Sequence, residues 1–120
     1  MYKGKIVILL DAGHYAYYNQ GIIKDYWESL NNWTQHLMLK EELERLGFKV
    51  CLTREAQEKD LALYDRGYKC LAEKADLFLS IHSNAPGNSS PGTRGVVVNY
   101  SVSAQTKDRE MALGIAECIA

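Results

Sequence analysis

Short apolar runs alternate along this chain with longer segments whose apolar residues recur every three or four positions. The run Ile6-Val7-Ile8-Leu9-Leu10 predicts a buried first strand that ends in Asp11-Ala12-Gly13-His14. Gly13 suits a sharp exit and leaves His14 in the following loop. Residues 26–46 then turn helical, with Glu28, Asn32, His36, Leu39, Leu43 and Leu46 on one stripe and Gly47 as the stop signal. That stripe is polar at its near end and apolar at its far end, as in a helix that buries its tail and points its head at a site. Residues 48–53 predict a second strand leading to Arg54, and residues 61–74 a second helix carrying Arg66. A third strand covers Leu77, Phe78, Leu79 and Ile81, whose nearly unbroken apolar run predicts cover on both faces. Residues 95–100 read as a fourth strand and 106–120 as a helix with Met111, Ile115 and Ile119 spaced by four. Strands alternating with helices predict an α/β fold, a three-layer sandwich with a mostly parallel sheet flanked by helices. The last helical pattern has no stop signal. The expectation is one domain over residues 1–120 that lacks a C-terminal strand and helix.

The third strand ends at His82, followed by the loop of residues 83–92. In open α/β sheets ligands bind beyond the carboxyl ends of the strands. A histidine there serves as a metal ligand, a general base or a packed polar group, and its partners decide which. Two partners reach the same edge: His14 after strand one and Glu28 at the start of the first helix. Two imidazoles and a carboxylate hold a zinc ion while leaving a position open for water or substrate. Such a metal acidifies water and polarises a carbonyl oxygen, which suits amide hydrolysis. The spacing is not specific by itself. A loop histidine is often solvated, and Glu28 equally suits a helix N-terminus. His36 competes for the same role, but at 1.5 Å per residue it stands roughly 12 Å from Glu28 along the helix. It reads as a core residue or one that supports a ligand.

Composition narrows the classes. Of 120 residues, 47% are hydrophobic and 24% charged, ordinary values for one globular domain. The net charge of -1 and the lack of a basic block argue against a nucleic-acid surface. No stretch approaches a membrane span, and residues 6–10 are too short for a signal-peptide core. Cys51, Cys70 and Cys118 form no Cys-x-x-Cys pair and predict reduced thiols buried in small core sites rather than a disulfide fold.

The segments Ile8-Leu9-Leu10-Asp11-Ala12-Gly13-His14, Leu52-Thr53-Arg54 and Ala75-Asp76-Leu77-Phe78-Leu79-Ser80-Ile81-His82-Ser83-Asn84-Ala85 resemble the type-3 family of zinc-dependent N-acetylmuramoyl-L-alanine amidases, peptidoglycan hydrolases of bacteria and their phages. The resemblance spans nearly the whole chain and includes the Glu28-to-Asn32 spacing, the Gly47 turn, Arg66 and Gly95. It implies that His14, Glu28 and His82 bind Zn2+, and that the reaction cleaves the amide between N-acetylmuramic acid and L-alanine. It also implies peptidoglycan as partner, action at the bacterial cell wall, and a monomer. A non-catalytic peptidoglycan-binding remnant and a zinc peptidase acting on free peptides are the alternatives.

Three departures from the family stand out. Tyr15-Ala16-Tyr17-Tyr18 replaces the glycines common after the first histidine, so a tyrosine there, Tyr15 foremost, either contacts substrate or packs. Leu71 stands where an asparagine is common. The family's general-base glutamate has no counterpart, and the resemblance implies one beyond Ala120. Glu110 and Glu117 read as solvent-facing. Asp11 either orients His14 or caps the turn, and Asn84 either donates to a substrate carbonyl or shapes its loop. Arg66 reads as a structural ion pair.

Overall fold

The structure is a computed structural model and describes residues 6–17, 24–84 and 95–119. Its elements run β1 (Val7–Ala12), α1 (Glu28–Arg45), β2 (Lys49–Leu52), α2 (Leu63–Ala72), β3 (Leu77–Ile81) and α3 (Thr106–Ile119). The chain divides into two compact units, Met1–Ala85 and Pro86–Ala120.

In the first unit the strand order is β2-β1-β3, with both pairings parallel. Parallel neighbours require crossovers, and right-handed crossovers to opposite sides of β1 place α1 and α2 on opposite faces. The side chains follow. On one face Ile8, Leu10 and Val50 form the core, covered by Leu39 and Leu43 of α1 and flanked by Leu52, Leu77 and Leu79. On the other face, Arg66 of α2 reaches Asp11, and Lys69 reaches the Thr53 carbonyl. This is a three-layer sandwich, helix on sheet on helix.

The strand covered on both faces is β1, where Leu9 and Leu10 are both 0% exposed. β3 differs from expectation: Phe78 is exposed, as is Ser80, while Leu77, Leu79 and Ile81 are only half-buried. β3 is the last strand of the described sheet on its side, so its apolar run reflects one packed face and one open one. Leu10→Ala should therefore cost about 2–5 kcal/mol, because a fully packed side chain is lost and a cavity stays behind. Urea unfolding measures this directly.

Helix α1 ends as its sequence requires. Gly47 adopts φ 92°, its N–H donates to Glu44 O at 2.9 Å, and the Phe48 N–H donates to Leu43 O at 3.0 Å. This pair of bonds is a Schellman closure, in which a left-handed glycine satisfies the last carbonyls.

Residues 95–100 form no strand, although they were expected to. Val96, Val97 and Tyr100 are exposed, and the segment joins no ladder among the described residues. β-branched residues favour a strand only where a partner edge receives it. The second unit contains α3, in which Ala112 is the buried residue. The thiols also depart from expectation: Cys51 and Cys70 are half-buried and Cys118 is exposed, all three free. Cys51 donates to Glu73 at 3.4 Å, and burial together with that carboxylate pushes its thiol up. No helix of the described residues is long and apolar enough to cross a membrane.

Candidate metal centre

Three elements of the first unit deliver one side chain each to the carboxyl edge of the sheet. His14 follows β1, Glu28 opens α1, and His82 follows β3. His14 Nε2 lies 3.2 Å from Glu28 Oε2, and His82 Nδ1 lies 3.1 Å from Glu28 Oε1. The imidazoles meet edge to face with centroids 5.1 Å apart. One ligand atom from each of the three residues falls within 4.8 Å of the others. Ligands about 2.0–2.1 Å from zinc at tetrahedral angles stand roughly 3.3 Å apart, and each histidine nitrogen lies near that distance from one Glu28 oxygen, His14 from Oε2 and His82 from Oε1. Nitrogen, nitrogen and carboxylate oxygen form a donor set of the catalytic-zinc type, with fewer than four protein ligands. The residues fit the metal.

The backbone makes this meeting possible at Gly13. A Cβ there would stand 2.3 Å from His82 Cε1 and 2.6 Å from both ring nitrogens. The His82 ring occupies the space that any larger residue would need. Gly13 N–H also donates to Ile81 O at 3.0 Å, extending the β1–β3 ladder up to the two histidines. His14 itself sits at φ 61° and Ala16 at φ 42°, both left-handed and therefore strained for side-chain-bearing residues.

That turn is held from several sides. Arg66 donates to Ala12 O at 2.9 Å and to His14 O at 3.3 Å, and Arg54 donates to Ala12 O at 2.9 Å. Ala16 exchanges bonds with Gln57, and its carbonyl also accepts from Ser29. Asp11 anchors the arrangement. Its Oδ1 accepts from Thr53 at 2.7 Å and Arg66 at 2.9 Å, and its Oδ2 from Ser80 at 2.7 Å. All but Ser80 are buried. Asp11 thus reaches the His14 turn through Arg66, which forms the ion pair read from its sequence position.

Glu28 is buried, and protein donors fix one of its oxygens. Oε1 accepts from the Ser83 N–H at 2.9 Å and the Asn32 amide at 3.4 Å. Asn32 also donates to Gly13 O at 3.4 Å, so one buried amide links helix, turn and ligand. Its Oδ1 has no hydrogen-bond partner among the described residues. Further along the stripe, His36 is buried and lies outside the cluster. It meets the Trp33 carbonyl, and its ring is 4.4 Å from the Trp33 ring, whose face carries Arg54 at 5.1 Å. Burial pushes both the His36 imidazole and the Arg54 guanidinium below their usual values.

The His36 shift sets a pH dependence. The folded state binds its proton less readily than the unfolded chain, so the stability His36 contributes is present above about 6.5 and is lost as pH falls from there through the folded value. His36→Gln should flatten the acid limb of stability against pH, as urea midpoints between pH 7.5 and 5 would show.

The remaining candidates are placed as follows. Tyr15 is half-buried, and Asn84 is exposed two residues past His82. Tyr17 is exposed and meets Trp27 edge to face at 5.5 Å. Tyr18 and residues 85–92 of the loop lie outside the described residues. Sequence reasoning passed over Ser83 and Tyr26, which bond to each other at 2.7 Å beside Glu28. Neither residue type nor spacing marks such a pair, which forms only when β3 and α1 meet.

Comparison with known proteins agrees with this geometry. The model of the family Amidase_3, described as N-acetylmuramoyl-L-alanine amidase, matches residues 8–119. Among solved structures, the CwlD amidase from Clostridioides difficile, determined in complex with the GerS lipoprotein, is similar at 29% identity with a TM-score of 0.52. The match covers 72% of this chain and 52% of that one, so the chain spans about half the length of that relative. No curated protein matches.

Proposed function

The chain belongs to the Amidase_3 family of N-acetylmuramoyl-L-alanine amidases, and from that premise we propose that it serves zinc-dependent hydrolysis of the amide joining N-acetylmuramic acid to L-alanine in peptidoglycan. The observation that carries the proposal is the convergence of His14, Glu28 and His82 on one point at the carboxyl edge of the sheet. The same reading places its action at the bacterial cell wall.

Zinc held by His14, Glu28 and His82 would supply Lewis-acid polarisation of the scissile carbonyl and acidify water. The chain's own residues supply position. Arg66 and Arg54 hold the turn that presents His14, and the Asp11 network holds Arg66. Gly13 keeps space for the His82 ring. Glu28 is the one carboxylate in the cluster, and its oxygens face the imidazoles and the Ser83 and Asn32 donors. As one of the three ligands, it is not assigned as the proton acceptor. Asn84, exposed two residues past His82, donates to a substrate carbonyl, and Tyr15 contacts the substrate.

The test is digestion of purified peptidoglycan by the zinc-loaded protein. New L-alanine amino termini, in amounts that Glu28→Gln reduces at least about 100-fold, support the reading. Cleavage of free peptides with intact peptidoglycan untouched would turn it into a peptidase. Binding to peptidoglycan with no new termini would turn it into a wall-binding module.

A further inference from the structure

We propose that Tyr26 and Asn31, by gripping the hydroxyl of Ser83, fix His82 against Glu28 and thereby set the affinity of the cluster for zinc. The inference rests on the metal reading above and assigns three positioning residues to it.

The three ligands are not held equally. Glu28 is buried in the first turn of α1, and His14 sits in a turn tied down by two arginines. The His82 side chain is 46% exposed, and His82 is the first residue past the end of β3. The Gly13 contact limits how near its ring can come to the turn but does not stop it from swinging outward. What restrains it outward is the next residue. Ser83 N–H donates to Glu28 Oε1 at 2.9 Å, the oxygen that also faces His82. Ser83 Oγ accepts from Asn31 Nδ2 at 3.2 Å and shares a hydrogen bond with Tyr26 OH at 2.7 Å.

The arrangement has a geometric logic. Tyr26 lies two residues before Glu28 and Asn31 three after it, so both grips rise from the helix start that carries the ligand. Asn31 N–H donates to Trp27 O at 3.1 Å, which places it in regular helical backbone. A hydroxyl offers one donor and two acceptor positions, enough for both partners at once. Tethering the residue after His82 to the element that bears Glu28 converts the distance between two ligands on separate elements into a local distance. Residues that orient metal ligands commonly govern affinity about 10–100-fold.

Zinc affinity, measured by competition with a chromogenic chelator on protein shown by circular dichroism to be folded, tests the proposal. Ser83→Ala keeps the N–H to Glu28 and removes both grips, and should weaken zinc binding about 10-fold. Tyr26→Phe should weaken it in the same direction, and the double variant should lose less than the two single losses combined, because both remove one shared bond. Ser83→Thr, which restores the hydroxyl, should recover most of the affinity. If Ser83→Ala does not fold, Tyr26→Phe decides alone. Parent-like zinc affinity in the folded variants, or losses that add independently and that threonine does not recover, would overturn the clamp. A parent chain that binds no zinc would instead overturn the metal reading beneath it.

Discussion

Gly13→Ala should strip the metal site of its affinity while leaving the sheet folded. The added Cβ would fall 2.3 Å from His82 Cε1, closer than nonbonded atoms approach, so one side must move. The Gly13 backbone is bonded to Ile81 and to Asn32, whereas the His82 side chain is the partly exposed partner. The imidazole is therefore what gives way, and it swings out of the cluster. Losing one of three ligands should lower zinc affinity about 100-fold or more, the upper end of what even an outer partner costs. The urea midpoint should shift far less than zinc content does. An alanine variant that holds zinc like the parent would show that the turn has slack which the contact does not reveal.

The second large effect concerns stability. Asp11→Ala should destabilise the chain by about 3–5 kcal/mol, because it leaves the buried Arg66 guanidinium without its carboxylate. Thr53 and Ser80 lose an acceptor at the same time. Against a total of about 5–15 kcal/mol for a typical domain, this is a large share. Asp11→Asn keeps an acceptor oxygen without the charge and should fall between parent and alanine. Equilibrium urea unfolding at neutral pH measures both. A cost below about 1 kcal/mol for alanine would mean that water reaches Arg66 and that the ion pair is effectively a surface one.

These two residues show how far the sequence carries. The first strand, the Gly47 stop and the polar-to-apolar stripe of α1 are legible because each follows from local rules: an apolar run, a left-handed glycine, a period of 3.6 residues. The stripe also anticipated the layout of α1 except at its end, where Leu46 is exposed and lies past the last helical residue. Glu28, Ser29, Asn32 and His36 are buried at the site end, while Leu39 and Leu43 pack on the sheet. The ligand triad was legible only in combination, since spacing alone left His82 with three possible roles. The family resemblance narrowed them, and the geometry brings His14, Glu28 and His82 to one point.

What sequence could not supply was the identity of contacts made across elements. Ser83 reads as a loop residue, and nothing local says that Tyr26 and Asn31 will meet it. Residues 95–100 fail in the opposite direction. Their valines have strand character, yet a strand exists only against a partner edge. For β3 the apolar run was right about the element and wrong about its cover, because how many faces are buried depends on its place in the strand order. Asp11 illustrates the middle case. Its position beside the turn suggested that it orients His14 or caps the turn, whereas its carboxylate accepts from Thr53, Arg66 and Ser80, and Arg66 in turn donates to the His14 carbonyl.

The claim on which everything else depends is that these three side chains hold a metal. Zinc content per chain, determined on protein purified without added metal beside His82→Ala, tests it most directly. The account predicts about one zinc in the parent and a large drop in the variant, as expected for a site with three protein ligands. A folded parent with no zinc, or equal zinc in parent and variant, would contradict it.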